Sequence, residues 1–290
     1  MKEDAMFNSR EVKRYLGRVA DTHRSSDLRL ASYMGTRLRA EREPRFTRGL
    51  ESVASGQCPA SPSWPAFLTP KGMKPTPDRD SLGNNYKGDC VFAAPGHHVN
   101  MIGQQTGDSQ LVVTTEMVDD EYIKRTGYNP VTGANDNGYV IRDMIKIWST
   151  EGLYGTKCLA ACAVDITNQE EIEFGIWCGC GLIGGYDLPE ATETQYDAQG
   201  RAVWSIPKGG FANGDYPGKR GGHCMYNEGT SPGADNYNSW GEPVTSLPSW
   251  RLACCSELWL VFIDRWIQAT GRAPNGLALQ DMISDWNLRV

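Results

Sequence analysis

The sequence predicts an α+β fold carrying an N-terminal helical and extended arm, and three observations lead there. Between residues 91 and 176 apolar residues recur at helical spacing. From about residue 180 onward, short apolar runs are separated by Gly- and Pro-rich turns, the pattern of strands. Ahead of both lies a charged and then proline-rich stretch that fits neither pattern. Helices first and strands later, without internal repeats, is the order of an α+β chain.

Taken in order, Asn8-Ser9 can cap a helix whose Val12, Tyr15, Leu16 and Val19 share a face. Asp27 is the expected start of a second helix carrying Leu28, Leu30, Met34 and Leu38. Pro59, Pro62, Pro65, Pro70, Pro75 and Pro77 then make residues 56–77 an extended linker. Residues 1–77 therefore read as an arm and residues 78–290 as the domain proper. Within the domain, helices are expected over residues 91–102, 115–126 and 140–148, and another after Asn168 around Ile172 and Ile176. Strands are expected over residues 180–186, 202–206, 223–226 and 258–263. Pro95-Gly96 falls early in the first of these helices, where proline removes a backbone hydrogen bond, so a short or kinked helix is expected there.

Composition narrows the class. The 290 residues carry a net charge of −6, which hides an asymmetry. Residues 1–50 hold 12 Lys and Arg against 7 Asp and Glu, a net +5, and the remainder carries −11. A basic arm on an acidic body suits a protein partner or a homo-oligomer through residues 1–77, with nucleic acid a less favoured partner and solvated helix faces the plain alternative. No apolar run reaches the roughly 18 residues of a membrane span. Met1-Lys2-Glu3-Asp4 leads into charged sequence, so no signal peptide is expected and the cytoplasm of the producing cell is the expected location. The nine cysteines are odd in number in a long chain, which argues for a reducing compartment and against a disulfide framework; only Cys254-Cys255 invites oxidation.

The chemistry concentrates in two distant segments. Gly88-Asp89-Cys90 opens the apolar run Val91-Phe92-Ala93-Ala94, which places a thiol at a helix start, where its pKa falls and unpaired amides can hold an oxyanion. Asn84, six residues upstream, offers a side-chain amide to the same hole. Gly221-Gly222-His223 reads as a strand entered through glycines with the imidazole at its start. Asn238-Ser239-Trp240-Gly241 follows; an asparagine oxygen on the second ring nitrogen fixes the tautomer, and Trp240 can shield that bond. Each part alone has a plain structural reading as a buried thiol, a core histidine or a turn. His97 and His98 read as surface or core residues. Cys158, Cys162, Cys178 and Cys180 lack a nearby histidine and match no common zinc spacing, so no metal is expected. Gly179-x-Gly181-x-x-Gly184 lacks the strand–turn–helix setting of a dinucleotide site, and no cofactor is expected.

The order Asn84, Cys90, His223 and Asn238-Ser239-Trp240-Gly241 resembles the papain-like cysteine peptidases, in which these positions are oxyanion amide, nucleophile, base and orienting asparagine. The match is closer to a divergent phage and bacterial branch. Leu82-Gly83-Asn84-Asn85-Tyr86-Lys87-Gly88-Asp89-Cys90, Tyr122, Thr126-Gly127-Tyr128-Asn129-Pro130, Asp136-Asn137-Gly138, Trp148, Glu151-Gly152-Leu153-Tyr154-Gly155, Leu188-Pro189 and Trp204 carry it, over residues 78–270 approximately. The resemblance implies a helical half bearing Cys90 against an antiparallel barrel-like sheet bearing His223 and Asn238. It also implies a Cys-His-Asn amide hydrolase, phage-encoded and particle-associated, acting on a peptide or peptidoglycan-type amide. Asn84 departs from the glutamine usual in the family, with a shorter reach. The alternative is a bacteriophage virion structural or assembly protein with little turnover, docking through the arm; a filled groove favours it, an open groove favours the enzyme. A third reading makes the arm an inhibitory propeptide, although its basic pattern gives no direct sign of entering a cleft.

Overall fold

The computed structural model describes residues 15–33, 58–68, 80–212, 214–267 and 280–289. The proposed Asn8-Ser9 cap, the 34–38 end of the second expected helix and most of the basic and proline-rich stretch lie outside them. The described helices are α1 (Trp64–Leu68), α2 (Cys90–Thr106), α3 (Thr115–Thr126), α4 (Ile141–Thr150), α5 (Gln169–Gly179), α6 (Pro248–Cys254) and α7 (Gln280–Asn287). The strands are β1 (Cys158–Val164), β2 (Leu182–Leu188), β3 (Ala202–Trp204), β4 (Gly221–Ser231), β5 (Ala234–Ser239), β6 (Glu242–Ser246) and β7 (Cys255–Ile263). They form one sheet in the order β1-β7-β2-β4-β5-β6-β3. Every pairing is antiparallel except β3 with β6, and the sheet is open rather than closed on itself. The chain is α+β, as its element order predicts.

Local signals explain the ends of several elements. The Thr114 side chain accepts from the Met117 N–H at 3.4 Å to start α3, and Gly127 closes it in the left-handed region. Asn168 caps α5 in the same way through the Glu171 N–H. Helix α2 is apolar nearly all round and correspondingly buried, which suits a central helix packed across β4. It continues unbroken past Pro95 to Thr106, so the expected shortening does not occur. Pro95 stands close enough to the helix start that only the bond to Val91 O is lost.

The arm is where the structure departs most from sequence periodicity. Residues 15–20 are extended rather than helical, because Arg18 bridges Tyr139 in parallel register: Val19 N–H donates to Tyr139 O at 2.8 Å, and Tyr139 N–H to Gly17 O at 2.7 Å. The helix expected from Asp27 is reduced to a 3-10 turn, Leu30–Ser32, because Arg29 bridges Ala163 on edge strand β1, with Ala163 N–H donating to Leu28 O at 2.7 Å. Leu28, Leu30 and Trp64 belong to the same buried core as the residues after position 78. The Trp64 indole N–H donates to Ile176 O at 2.6 Å. Strands β1, β5 and β6 are elements the sequence pattern did not reveal.

Candidate active site

The segment before Cys90 is braced from both sides. The Gly88 N–H donates to Asp136 Oδ1 at 2.9 Å, the Tyr122 hydroxyl donates to the same oxygen at 2.6 Å, and the Gly138 N–H donates to the Tyr122 oxygen at 3.1 Å. Lys87, fully buried, pairs with Asp89 at 3.2 Å and with Asp119. Burial pushes the Asp89 carboxyl up to about 7, although Lys87 and the Asn84 amide favour its charged form. The Asn84 side-chain N–H donates to Lys87 O at 3.1 Å. In this state the Asn84 amide therefore braces the loop around Lys87 and Asp89.

Cys90 is the first residue of α2. Its sulfur accepts from the Cys224 N–H on β4 at 3.3 Å and also faces the Gly17 N–H. His223 immediately precedes Cys224 on that strand, so the β4 segment that carries the imidazole packs against the start of α2 across more than a hundred residues of sequence. Burial pushes the Cys90 thiol up to about 12, against the lowering effect of those two amides. The His223 Nε2 shares a 2.7 Å hydrogen bond with the Ser239 hydroxyl. The Trp240 indole stacks on the imidazole with centroids 4.2 Å apart and planes 10° from parallel.

The residue hydrogen-bonded to His223 is Ser239, one position beyond the asparagine expected there. Adjacent strand residues face opposite sides, so Asn238 and Ser239 cannot both meet His223. Asn238 sits opposite Tyr226 and Pro243, and its buried Oδ1 accepts no hydrogen bond among the described residues; Ser239 is the one on the imidazole. The two-residue turn between β5 and β6 is Trp240-Gly241, with φ of 53° and 77°. Positive φ at both central residues is normal for such a hairpin, but a tryptophan there is strained. The strain is held by the stack on His223 and by the indole N–H, which donates to Tyr15 O at 3.0 Å.

The cleft contains the chain's own N-terminal segment, which sequence reasoning left out of the site. Arg18 N–H donates to Gly222 O at 3.1 Å, and with the pairings to Tyr139 this fixes Gly17 directly over Cys90. Gly17, Gly88 and Gly138 meet so closely that a Cβ on Gly17 would overlap the Gly88 carbonyl, and one on Gly138 would overlap the Gly17 carbonyl. Arg18 extends into the wall of the cleft, donating to Asp187 Oδ1 at 2.8 Å, Glu257 Oε1 at 3.2 Å, Asp21 O at 3.2 Å and the Ser256 hydroxyl. Burial works against its charge, but Glu257 and Asp187 outweigh this and raise its pKa. Beyond it, Arg142 clamps the strap through Asp21 at 3.0 Å, Thr22 O at 2.9 Å and Asp27 Oδ2 at 2.9 Å. The Leu258 N–H donates to His23 Nε2 at 3.2 Å, and burial pushes that histidine down to about 4.

The remaining candidates fall into the core. His98 is buried, bonded through Nε2 to Gly179 O at 2.7 Å and stacked on Tyr226. All nine cysteines are free thiols, Cys254 and Cys255 included, and Cys158, Cys162, Cys178 and Cys180 form no converging group among the described residues. No described helix is long and apolar enough to cross a membrane.

No protein-family model and no curated protein sequence matches the chain. Its fold does resemble solved structures. Xylellain, a cysteine protease from Xylella fastidiosa, superposes with a TM-score of 0.57 over 86% of this chain and 96% of its own, at 12% identity. The cysteine protease CMS1MS2 of Carica candamarcensis aligns with a TM-score of 0.45 over 70% of this chain and 98% of its own, at 14% identity. The fold is papain-like, the fold of cysteine proteases.

Proposed function

We propose that the chain is a papain-like cysteine amide hydrolase held closed by its own N-terminal segment. The observation that carries this reading is the packing of Cys90, at the start of α2, against the β4 segment bearing His223, whose Nε2 shares a hydrogen bond with Ser239 and whose ring stacks on Trp240. In the open form His223 takes the Cys90 proton and the thiolate attacks a carbonyl carbon. The α2 N-terminal amides, joined by Asn84 once it turns from Lys87, hold the oxyanion. The imidazolium then protonates the leaving amine, and a water deprotonated by His223 cleaves the thioester to release the acid. Ser239 rather than Asn238 orients the imidazole, and the substrate is a peptide or peptidoglycan-type amide.

The closed state suits inhibition better than self-cleavage. Gly17 offers its N–H to the sulfur, and its carbonyl oxygen is held by Tyr139 N–H, away from the helix amides. A scissile carbonyl would need the opposite arrangement. The filled cleft equally fits the second reading, a phage particle component that keeps the fold without turnover. Both are separated by one experiment: displace the segment in the full chain with Gly17→Ala and assay a mixed peptide library for amide release. Release that vanishes on adding Cys90→Ala supports the hydrolase. A folded, open protein that cleaves nothing refutes it and leaves assembly, tested by whether particles or rings form without residues 1–14.

A further inference from the structure

The wall of the cleft that receives Arg18 is built for a guanidinium. Its two carboxylates come from different strands, Asp187 near the end of β2 and Glu257 near the start of β7, and converge on one side chain. Glu257 is wholly buried, and so is the Arg18 side chain it meets. The second Glu257 oxygen accepts from the Trp259 indole N–H at 2.8 Å, which turns the first toward Arg18 Nε. Between the carboxylates lies Gly185, where a Cβ would overlap the Arg18 guanidinium. The Ser256 hydroxyl takes a further N–H. Donors and acceptors thus match a planar fork rather than a point charge, which distinguishes arginine from lysine.

A carboxylate at the depth of Glu257 is costly without a cation beside it, whereas the Asp187 side chain is 34% exposed. Burial pushes the Glu257 carboxyl up, opposed by the Trp259 hydrogen bond and by Arg18 itself. Tethering of the arm alone does not require a site so deep, because Arg142 with Asp21 and Asp27, and the buried Leu28 and Leu30, already fasten the strap further along.

We propose that the pocket of Gly185, Asp187, Ser256 and Glu257 is the arginine-recognising subsite of this cleft, filled in the closed form by Arg18 and in the open form by an arginine of a peptide ligand. Because Gly17 lies on Cys90, the recognised arginine is one residue away from the residue at the thiol. The ligand class is therefore an arginine-bearing peptide. Its consequence for turnover rests on the hydrolase reading above; the recognition itself does not.

The test uses the full-length Arg18→Ala protein, which vacates the pocket. Nα-acetyl-arginine-N-methylamide is titrated calorimetrically beside its neutral citrulline analogue. The expected result is about 10–100-fold tighter binding of the arginine compound, the worth of charge-assisted hydrogen bonds to a buried acid. The preference disappears in Arg18→Ala/Glu257→Gln. Equal binding of the two compounds, or binding of neither, overturns the proposal. If Arg18→Ala does not fold, ethylguanidinium restores its cooperative unfolding transition and N-ethylurea does not; rescue by neither, or by both alike, also overturns it. Arginine-selective binding without Cys90-dependent cleavage keeps the subsite and refutes the hydrolase, whereas cleavage indifferent to arginine does the reverse.

Discussion

Replacing Gly17 by alanine is expected to open the cleft and switch on the reactivity of Cys90. A methyl group at this position overlaps the Gly88 carbonyl, an atom that Asp136 and Tyr122 hold in place through the Gly88 N–H and Asp136 Oδ1. The backbone of Gly88 cannot yield without breaking that brace, so the arm is the part that moves. In the closed form burial holds the thiol at about 12, against an ordinary 9.0. Opening removes the burial, and three pH units correspond to about a thousand-fold more thiolate near neutral pH, before any help from His223. The assay is iodoacetamide labelling followed by peptide mass spectrometry. Eight of the nine thiols are buried in the folded protein, so the seven besides Cys90 serve as internal references. Labelling at Cys90 should rise by roughly three orders of magnitude in Gly17→Ala while theirs stays unchanged. Wild-type Cys90 reacting as fast as a free thiol would refute the occluded state, and an unchanged rate in folded Gly17→Ala would refute the crossing as the lock.

In the opened protein, Ser239→Ala is expected to lower the Cys90 labelling and cleavage rates about ten-fold or more by freeing the imidazole, and Asn238→Ala much less; the reverse order in rates measured side by side would return the orienting role to Asn238. The strap should loosen in acid, because His23 titrates at about 4 when closed and near 6.5 when released. A neutral histidine is favoured only in the closed state, so its contribution is whole above 6.5 and is lost as pH falls through 4, about 3 kcal/mol in all. Asp27, Arg29, Arg142 and the Leu258 N–H surround it, and Asp21 and Asp27, raised by burial but held low by Arg142, add to the loss at still lower pH. Hydrogen exchange at Arg18 and Val19, corrected for intrinsic rates, should accelerate between pH 7 and 4; flat exchange would show that His23 does not clamp the strap. Finally, Arg251→Met should cost about 3–5 kcal/mol in thermal unfolding, since it strands Asp235, a wholly buried carboxylate 2.8 Å from Arg251 Nε. A loss under 1 kcal/mol would mean that water replaces the guanidinium there.

What the sequence revealed follows from how local each signal is. The helix start at Cys90 was legible because glycine, a short polar residue and an apolar run mark it within a few positions. The strand carrying His223 was legible from the glycines that open β4. The choice between Asn238 and Ser239 was not, because strand phase depends on pairing register, and β4 carries an irregularity between Asn227 and Gly229 in its pairing with β5. Strand β1 escaped notice because its Leu159-Ala160-Ala161-Cys162-Ala163 has little strand propensity; pairing with β7 makes it a strand. Tyr15, Leu16 and Val19 keep helical spacing, yet this segment is extended because Tyr139 and Gly222 supply its hydrogen bonds from more than a hundred residues away. Such partners leave no mark in a local window.

The partners that bind the segment have a further consequence for how the cleft can be regulated. On the hydrolase reading proposed above, the Tyr139 backbone, the Gly222 carbonyl and the acidic pocket, which here bind Gly17–Val19, are the groups that an extended peptide ligand would use. Substitutions on that side weaken the closed state and ligand binding together, so their effects on turnover oppose one another. Only residues of the segment and of its distant clamp separate the two. Gly17 and Arg18 set the fit, while Arg142 with Asp21, Asp27 and His23 sets how much of the strap must come away. Leu28 and Leu30, each worth about 1.5–3 kcal/mol in burial, keep the following residues on β1 after the cleft has emptied. On this reading, opening is a local event confined to residues ahead of Leu28 rather than an unfolding of the domain.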